Sequence, residues 1–133
     1  MLAKATHICG ARFGVLYRYD NGLFDPAAMH NVPESFATFL RDRGPFQAPE
    51  QSPLGRVRDT LCLLHTVDEA AEPLPSGPAR LGGARSLVAV PMLKESDLLG
   101  VFIVYRQEVR PFTDKQIELV QNFAALYGIG GID

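Results

Sequence analysis

Along residues 82–127 the apolar positions change period twice. From Ser86 to Leu93 they run almost unbroken, as in a buried strand, Lys94 to Asp97 forms a polar break, and Leu98 to Tyr105 resumes an apolar run rich in Val, Ile, Phe and Tyr. The pattern predicts an antiparallel hairpin. Pro111 ends the extended run, and Thr113 opens a helix with Gln116 at capping-box spacing. Phe112 and Ile117 flank that cap at the positions of a hydrophobic staple, which fixes the angle at which the chain enters the helix. Ile117, Val120, Ala124 and Tyr127 form one apolar stripe, with Leu119, Phe123 and Leu126 as a second beside it. That face is wider than one sheet contact requires, so either one stripe meets a partner or both pack against the sheet and the N-terminal helix. Gly128, Gly130 and Gly131 are expected to end the helix.

The earlier part of the chain reads in the same way. Leu2 to Ile8 has the spacing of a short helix, with Leu2, Ala5, Ile8 and Cys9 on one face and Gly10 as its C-cap. So short a helix is marginal alone, and it reads as the tail of a longer one. Phe13 to Tyr19 alternates with Phe13, Val15, Tyr17 and Tyr19 on one face, Asp20-Asn21-Gly22 is a hairpin turn, and Leu23 to His30 returns as an edge or bulged strand because it contains Pro26. Phe36, Phe39 and Leu40 mark a helix between Pro33 and Gly44. Ser52-Pro53 caps a second helix, Leu54 to Asp59, with Leu54 and Val57 inward, after a loop from Pro45 to Pro53. Leu61 to Thr66 reads as a strand, and Glu69 to Gly83, dominated by Pro, Gly and Ala, as a long loop of the kind that is functional or mobile.

These elements imply an α+β layout: one antiparallel sheet of five or six strands, terminal helices on one face, and inserted helices and loops over a cavity on the other. At 133 residues, 47% hydrophobic and 21% charged, the chain suits one domain with a single core. A net charge of −2 implies no nucleic-acid partner. The apolar runs are strand-length and no signal segment opens the chain, so no membrane contact is expected and the location is read as cytoplasmic. Cys9 and Cys62 lack the count and spacing of a disulfide framework and fit a reducing compartment, with a bridge between them left open.

Candidate chemistry is sparse. Cys62 and His65 are three residues apart, which on a strand puts them on opposite faces, and no further ligands are close in sequence; no metal is expected, and Cys62 reads as a core thiol. His65 and Asp68 are read as a strand-end histidine satisfied by a neighbouring carboxylate, ahead of a proton-sharing pair. Arg80 and Arg85 flank Gly82-Gly83, an arrangement that suits an anionic ligand, although solvated arginines beside a flexible loop are the plainer reading.

The segments GGARSLVAVPML, LLGVFIVYR and RPFTDKQIELVQNFAA, in that order and spacing, resemble a GAF domain, the small-molecule sensor module of signalling proteins. ICGARFGVLYRYDNG and the HTVD segment at His65 to Asp68 fit as well, so the resemblance runs from Ala5 to about Ala125. The wording is closest to modules that precede bacterial histidine kinase or nucleotide cyclase domains. The resemblance implies a single sensor domain over residues 1–133, part of a larger protein, with a six-stranded antiparallel sheet and a pocket between the sheet and residues 36–83. It also implies terminal helices that pair with a second copy as a homodimer and lead to an output domain. The tail LYGIGGID and the short first helix depart from that pattern.

A sensor pocket is ordinarily lined by apolar and aromatic residues. Phe46, Leu61, Leu63, Leu81, Val88, Val90 and Met92 are the candidates, with His65 and Arg85 as polar neighbours, and the choice between pocket and core stays open at this point. The ligand itself is not identified by the sequence. Some GAF domains reduce free methionine sulfoxide with cysteines in the segment before the VP-containing strand; here that segment, PSGPARLGGARS, has none. Its absence also removes the familiar attachment point for a bilin, and the Asn-Lys-X-X-Phe-X-X-X-Asp-Glu motif of cyclic-nucleotide-binding relatives is missing. A non-catalytic sensory module is therefore expected, with a structural dimerisation module as the alternative and a thiol-based reductase behind both.

Overall fold

In the computed structural model, which describes residues 2–72 and 77–130 and the side chains of all these except 77, 78 and 127–130, the chain alternates hairpins with helices. The order is α1 (Leu2–Ile8), β1 (Phe13–Asp20), β2 (Leu23–His30), α2 (Glu34–Arg43), α3 (Pro53–Thr60), β3 (Leu64–Thr66), α4 (Gly77–Gly82), β4 (Leu87–Lys94), β5 (Asp97–Tyr105) and α5 (Asp114–Gly130). The strands form one antiparallel sheet in the order β2-β1-β5-β4-β3.

Both hairpins follow from their turns. Asn21 and Gly22 adopt φ of 53° and 81°, the left-handed pair that a tight β1–β2 turn needs. Pro26 sits on the edge strand β2, and the register shifts between Leu16 and Tyr17 opposite it. The α5 cap forms as encoded: the Gln116 amide N–H donates to Thr113 Oγ1 at 3.1 Å and the Thr113 N–H to Gln116 Oε1 at 2.9 Å. Ser52 caps α3 by accepting from the Gly55 N–H at 3.1 Å.

Side-chain alternation splits the core in two. Val15, Tyr17, Leu87, Ala89, Val101, Ile103 and Tyr105 face α2 and α3, where they pack with Phe36, Leu40, Leu54 and Val57. Leu16, Val88, Val90, Met92, Phe102 and Val104 face the terminal helices and pack with Leu2, Ala5, Val120 and Ala124. The central strands β4 and β5 are thus buried on both faces, which is why they read as continuous apolar runs.

Five expectations need correction. Among the described residues the sheet has five strands, not six: Pro33, Pro45, Pro49 and Pro53 punctuate the middle of the chain, and Phe46 makes only a single bridge to Phe24. β3 starts at Leu64 because Leu61, at φ 56°, caps α3 in a left-handed conformation. Residues 69–83 are not all loop, since a 3-10 turn spans Glu69–Ala71 and α4 spans Gly77–Gly82; positions 73–76 lie outside the described residues. Helix α5 continues through Gly128 to Gly130, since a helical glycine costs only about 1 kcal/mol relative to alanine; Gly131 and the tail beyond it lie outside the described residues, as does the Tyr127 side chain. Ile8 also leaves the expected face of α1 and is exposed, whereas Leu2, Ala5 and Cys9 are buried.

Candidate functional site

On the face covered by the inserted helices, two tyrosines of the sheet meet the ends of α2 and α4. Tyr105 is fully buried, yet its hydroxyl has no hydrogen-bond partner among the described residues. A Cβ on Gly82, in the last turn of α4, would lie 2.7 Å from that hydroxyl and 3.0 Å from the Phe36 ring, so the glycine is what allows α4 to close over Tyr105. Burial pushes both the Tyr105 and Tyr17 phenols above their ordinary range; for Tyr17 the nearby Arg43 guanidinium opposes the rise and Tyr105 adds to it.

Tyr17 packs edge-on against Phe46, with ring centroids 6.2 Å apart, and Phe46 carries the Arg43 guanidinium 3.5 Å over its own ring. The same guanidinium lies 4.5 Å over Phe39, one helical turn back on α2. Burial lowers the Arg43 pKa, Tyr17 raises it, and the Arg80 charge lowers it again. Arg80 and Leu81 come from α4, and Leu81 packs on the edge of this core. Among the described residues, neither Arg43 nor Arg80 has a carboxylate within ion-pair distance.

Of the nine residues expected to line a pocket, only Phe46 and Leu81 reach this junction. Val88, Val90 and Met92 face the terminal helices, because alternation along β4 turns them away from α2 and α4. Leu61, Leu63 and Val90 come together elsewhere, in an apolar cleft of about 530 Å³ that Pro91, Gln121 and Ala125 complete. Cys62 lines the same cleft and is exposed, not a core thiol; Cys9 is the buried one, with its thiol pushed up to about 11 by burial, and both are free.

The two remaining polar candidates are engaged in the fold. Asp68 pairs with Arg85, at 2.7 Å from Nε and 2.9 Å from Nη2, and so does not satisfy His65. The hydrogen bond from Arg85 holds the Asp68 carboxyl below its usual range. His65 Nε2 instead accepts from the Phe112 N–H at 3.2 Å, and burial, reinforced by the Arg106 charge, lowers its pKa. Arg85 is therefore paired, although its side chain stays 42% exposed, and a bound anion would compete with Asp68 for it. No group of three or more His, Cys, Asp and Glu among the described residues is placed to hold a metal ion. No helix among them is long and apolar enough to cross a membrane.

Sequence reasoning missed two residues that tie the layers together. Arg106 is buried, and its guanidinium donates to the carbonyls of Gly10, Arg110 and Pro111 and to Gln116 Oε1, while stacking 4.1 Å over Phe112. Gln107, its neighbour, donates from Nε2 to the Gly82 carbonyl at 3.0 Å. Consecutive residues thus hold the end of α1 and the start of α5 on one face of the sheet and the end of α4 on the other. An arginine directly after an apolar strand was the available signal, but its carbonyl acceptors lie in segments whose approach the sequence does not reveal.

A family model described as GAF domain matches residues 1–130. No match was found among curated proteins. Among solved structures, the GAF domain of a phosphoenolpyruvate-protein phosphotransferase from Coxiella burnetii superposes with a TM-score of 0.80 at 14% identity, covering 96% of this chain and 76% of that one. The domain of a protein described as a two-component sensor histidine kinase from Sinorhizobium meliloti 1021 gives 0.73 at 15% identity, covering 97% and 87%. The blue-light absorbing form of the PixJ GAF domain from Thermosynechococcus elongatus gives 0.74 at 17% identity, covering 97% and 79%.

Proposed function

The chain belongs to the GAF domain family, and we propose that it is a non-catalytic sensory module that takes up a small molecule where the sheet meets α2 and α4 and passes the change to its terminal helices. The observation that carries this reading is the pair Arg106–Gln107, whose hydrogen bonds join α4 on one face to α1 and α5 on the other. A ligand that binds one arrangement of α4 better than another shifts the populations of both faces by its difference in affinity. The half-buried Leu119 and Phe123 and the exposed Leu126 give α5 an apolar stripe for a second copy, so that the output is a change in helix pairing handed to a linked domain, a histidine kinase or nucleotide cyclase. The sensor histidine kinase among the similar structures supports that choice of output.

The aromatic packing of Tyr17, Phe24 and Phe46 favours a second reading, a dimerisation module whose ligand space is filled by its own side chains. Thermal melting against a panel of metabolites, nucleotides and tetrapyrroles separates the two. The sensory reading expects at least one compound to raise Tm, by roughly 2.7 kcal/mol of added stability at a hundredfold excess over its Kd. A panel in which none does so favours the dimerisation module.

A further inference from the structure

We propose that the protein carries a second binding site, for a phosphate group, in the open cleft between the end of α1 and the exit of β5, with Arg12 and Arg110 as its direct donors beside the buried charge of Arg106. The site goes beyond the sensory reading and does not depend on it, since none of Arg43, Phe46 and Leu81 lines it.

The cleft has a volume of about 540 Å³, and His7, Arg12, Arg106, Gln107, Glu108 and Arg110 supply its polar wall. Its charge is one-sided. Three arginines stand against one carboxylate, and Glu108 is already shared with Arg110 at 3.4 Å, so the cleft keeps an excess of two positive charges in a chain whose net charge is −2. A doubly charged phosphate matches that excess, whereas a monocarboxylate leaves half of it.

Arg106 separates this cleft from a scatter of surface arginines, because it is only 4% exposed. All five of its N–H groups donate: Nε and Nη2 to the Gly10 carbonyl, Nη1 to the carbonyls of Arg110 and Pro111, and Nη2 also to Gln116 Oε1. These acceptors satisfy its hydrogen bonds but carry no net charge, and among the described residues no carboxylate lies within ion-pair distance of it. Water screens a guanidinium poorly at that depth, and a buried cation ordinarily has a counter-charge as well as hydrogen bonds. Burial and the Arg110 charge lower its pKa, with Glu108 opposing. An anion in the cleft supplies the missing charge while the Arg106 donors stay where they are.

The donors left for that anion are on Arg12 and Arg110. Arg12 has no ion-pair partner among the described residues, and Arg110, 63% exposed, is engaged by Glu108 alone. Both are anchored at the backbone: the Arg110 carbonyl accepts from Arg106 Nη1 at 2.6 Å and its N–H donates to Ser86 Oγ at 2.9 Å, while the Arg12 carbonyl accepts from Asn31 Nδ2 at 3.3 Å. Guanidinium forks set on one cleft suit the oxygens of a phosphate, which they can grip in pairs. Because Arg106 and Gln107 line the same cleft, its occupant sits against the two residues that join the faces of the sheet.

The test follows the backbone amides of the whole protein by NMR, slightly above neutral pH and at constant ionic strength, during titration with inorganic phosphate, phenyl phosphate, acetate or chloride. The two phosphates should give saturable shifts at His7, Gly10 to Arg12 and Gln107 to Arg110, with acetate and chloride weaker by roughly tenfold or more. Tighter binding of phenyl phosphate than of inorganic phosphate identifies a phosphate ester as the occupant, and equal binding the free ion. Arg12→Gln and Arg110→Gln, both at exposed positions, should keep the parent Tm in chloride and each lose about tenfold in phosphate affinity. Arg41→Gln, at an exposed arginine of α2 outside the cleft, should leave that affinity unchanged. Shifts that do not saturate, acetate binding as tightly as phosphate, full affinity in the double variant Arg12→Gln/Arg110→Gln, or an equal loss in Arg41→Gln would each overturn the site. The metabolite melting panel tests the sensory pocket separately in every case.

Discussion

Arg106 and Gln107 leave β5 side by side and grip opposite faces of the sheet: Arg106 donates to the Gly10 carbonyl from Nε at 3.0 Å and Nη2 at 2.9 Å, and Gln107 to the Gly82 carbonyl at 3.0 Å. Strands alternate their side chains between faces, so two neighbours at a strand exit are the shortest covalent link across a sheet. The two terminal helices converge on Arg106, since it also reaches Gln116 in the first turn of α5.

Replacing Arg106 with Ala should cost roughly 2–4 kcal/mol, because it leaves several carbonyls without a charged donor and removes the stack on Phe112. Arg106→Lys should recover only part of this, as an ammonium cannot reproduce the planar fork that spans Gly10, Arg110 and Pro111. Urea midpoints at constant slope read the difference, and an Arg106→Lys protein as stable as the parent would show that the fork does not matter.

The capping box should act as a unit with that arginine. Thr113→Ala is expected to cost about 1 kcal/mol, the usual loss for an N-cap hydroxyl. Gln116→Ala removes both the reciprocal cap and an Arg106 acceptor, so its effect should be non-additive with Arg106→Ala in a double-mutant cycle. Strict additivity would mean that the 3.3 Å contact between them carries no energy.

A pH dependence follows from His65. Its neutral Nε2 accepts from Phe112, and its folded pKa lies below the ordinary 6.5 for burial and the Arg106 charge, with Asp114 opposing. Between the folded and unfolded values the unfolded chain binds more protons, so stability is fully present above 6.5, falls as pH is lowered through that window, and levels off below the folded pKa. Urea midpoints for the parent and His65→Gln, from neutral to about pH 5, should diverge, the parent losing more. Parallel curves would remove His65 from the account.

The cysteines should separate by reactivity. Exposed Cys62 should react with a maleimide in the native state at neutral pH, while Cys9, buried and with its thiol pushed up to about 11, should react only on unfolding. Mass spectrometry after a timed pulse counts the labels, and two rapid labels on folded protein would contradict the burial of Cys9.

The hairpins, the α5 cap and the segregation of terminal from inserted helices were legible because each rests on local rules: turn residues at Asn21-Gly22, the Thr113–Gln116 spacing, alternation along β1. Of the residues expected to line a pocket, only Phe46 and Leu81 lie at the junction of the sheet with α2 and α4. Val88, Val90 and Met92 look as apolar as Leu87 and Ala89, and only the register with β5 decides which set faces α2. Arg43, Tyr17 and Tyr105 were hidden for a different reason: an arginine at a helix end and tyrosines in strands are ordinary taken singly, and their meaning comes from a junction of segments far apart in the chain. The Asp68–Arg85 pair shows the same limit, since the nearer partner in sequence, His65, lost to one seventeen residues on.

Hydrogen exchange of the whole protein, with and without the compound that raises Tm most in the melting panel, tests the central claim most directly. The account predicts slower exchange in α4 and the end of α2, together with changed exchange at the end of α1 and the first turn of α5, the second effect being lost in Gln107→Ala. Protection confined to α2 and α4, with α1 and α5 exchanging as in the free protein, would contradict it.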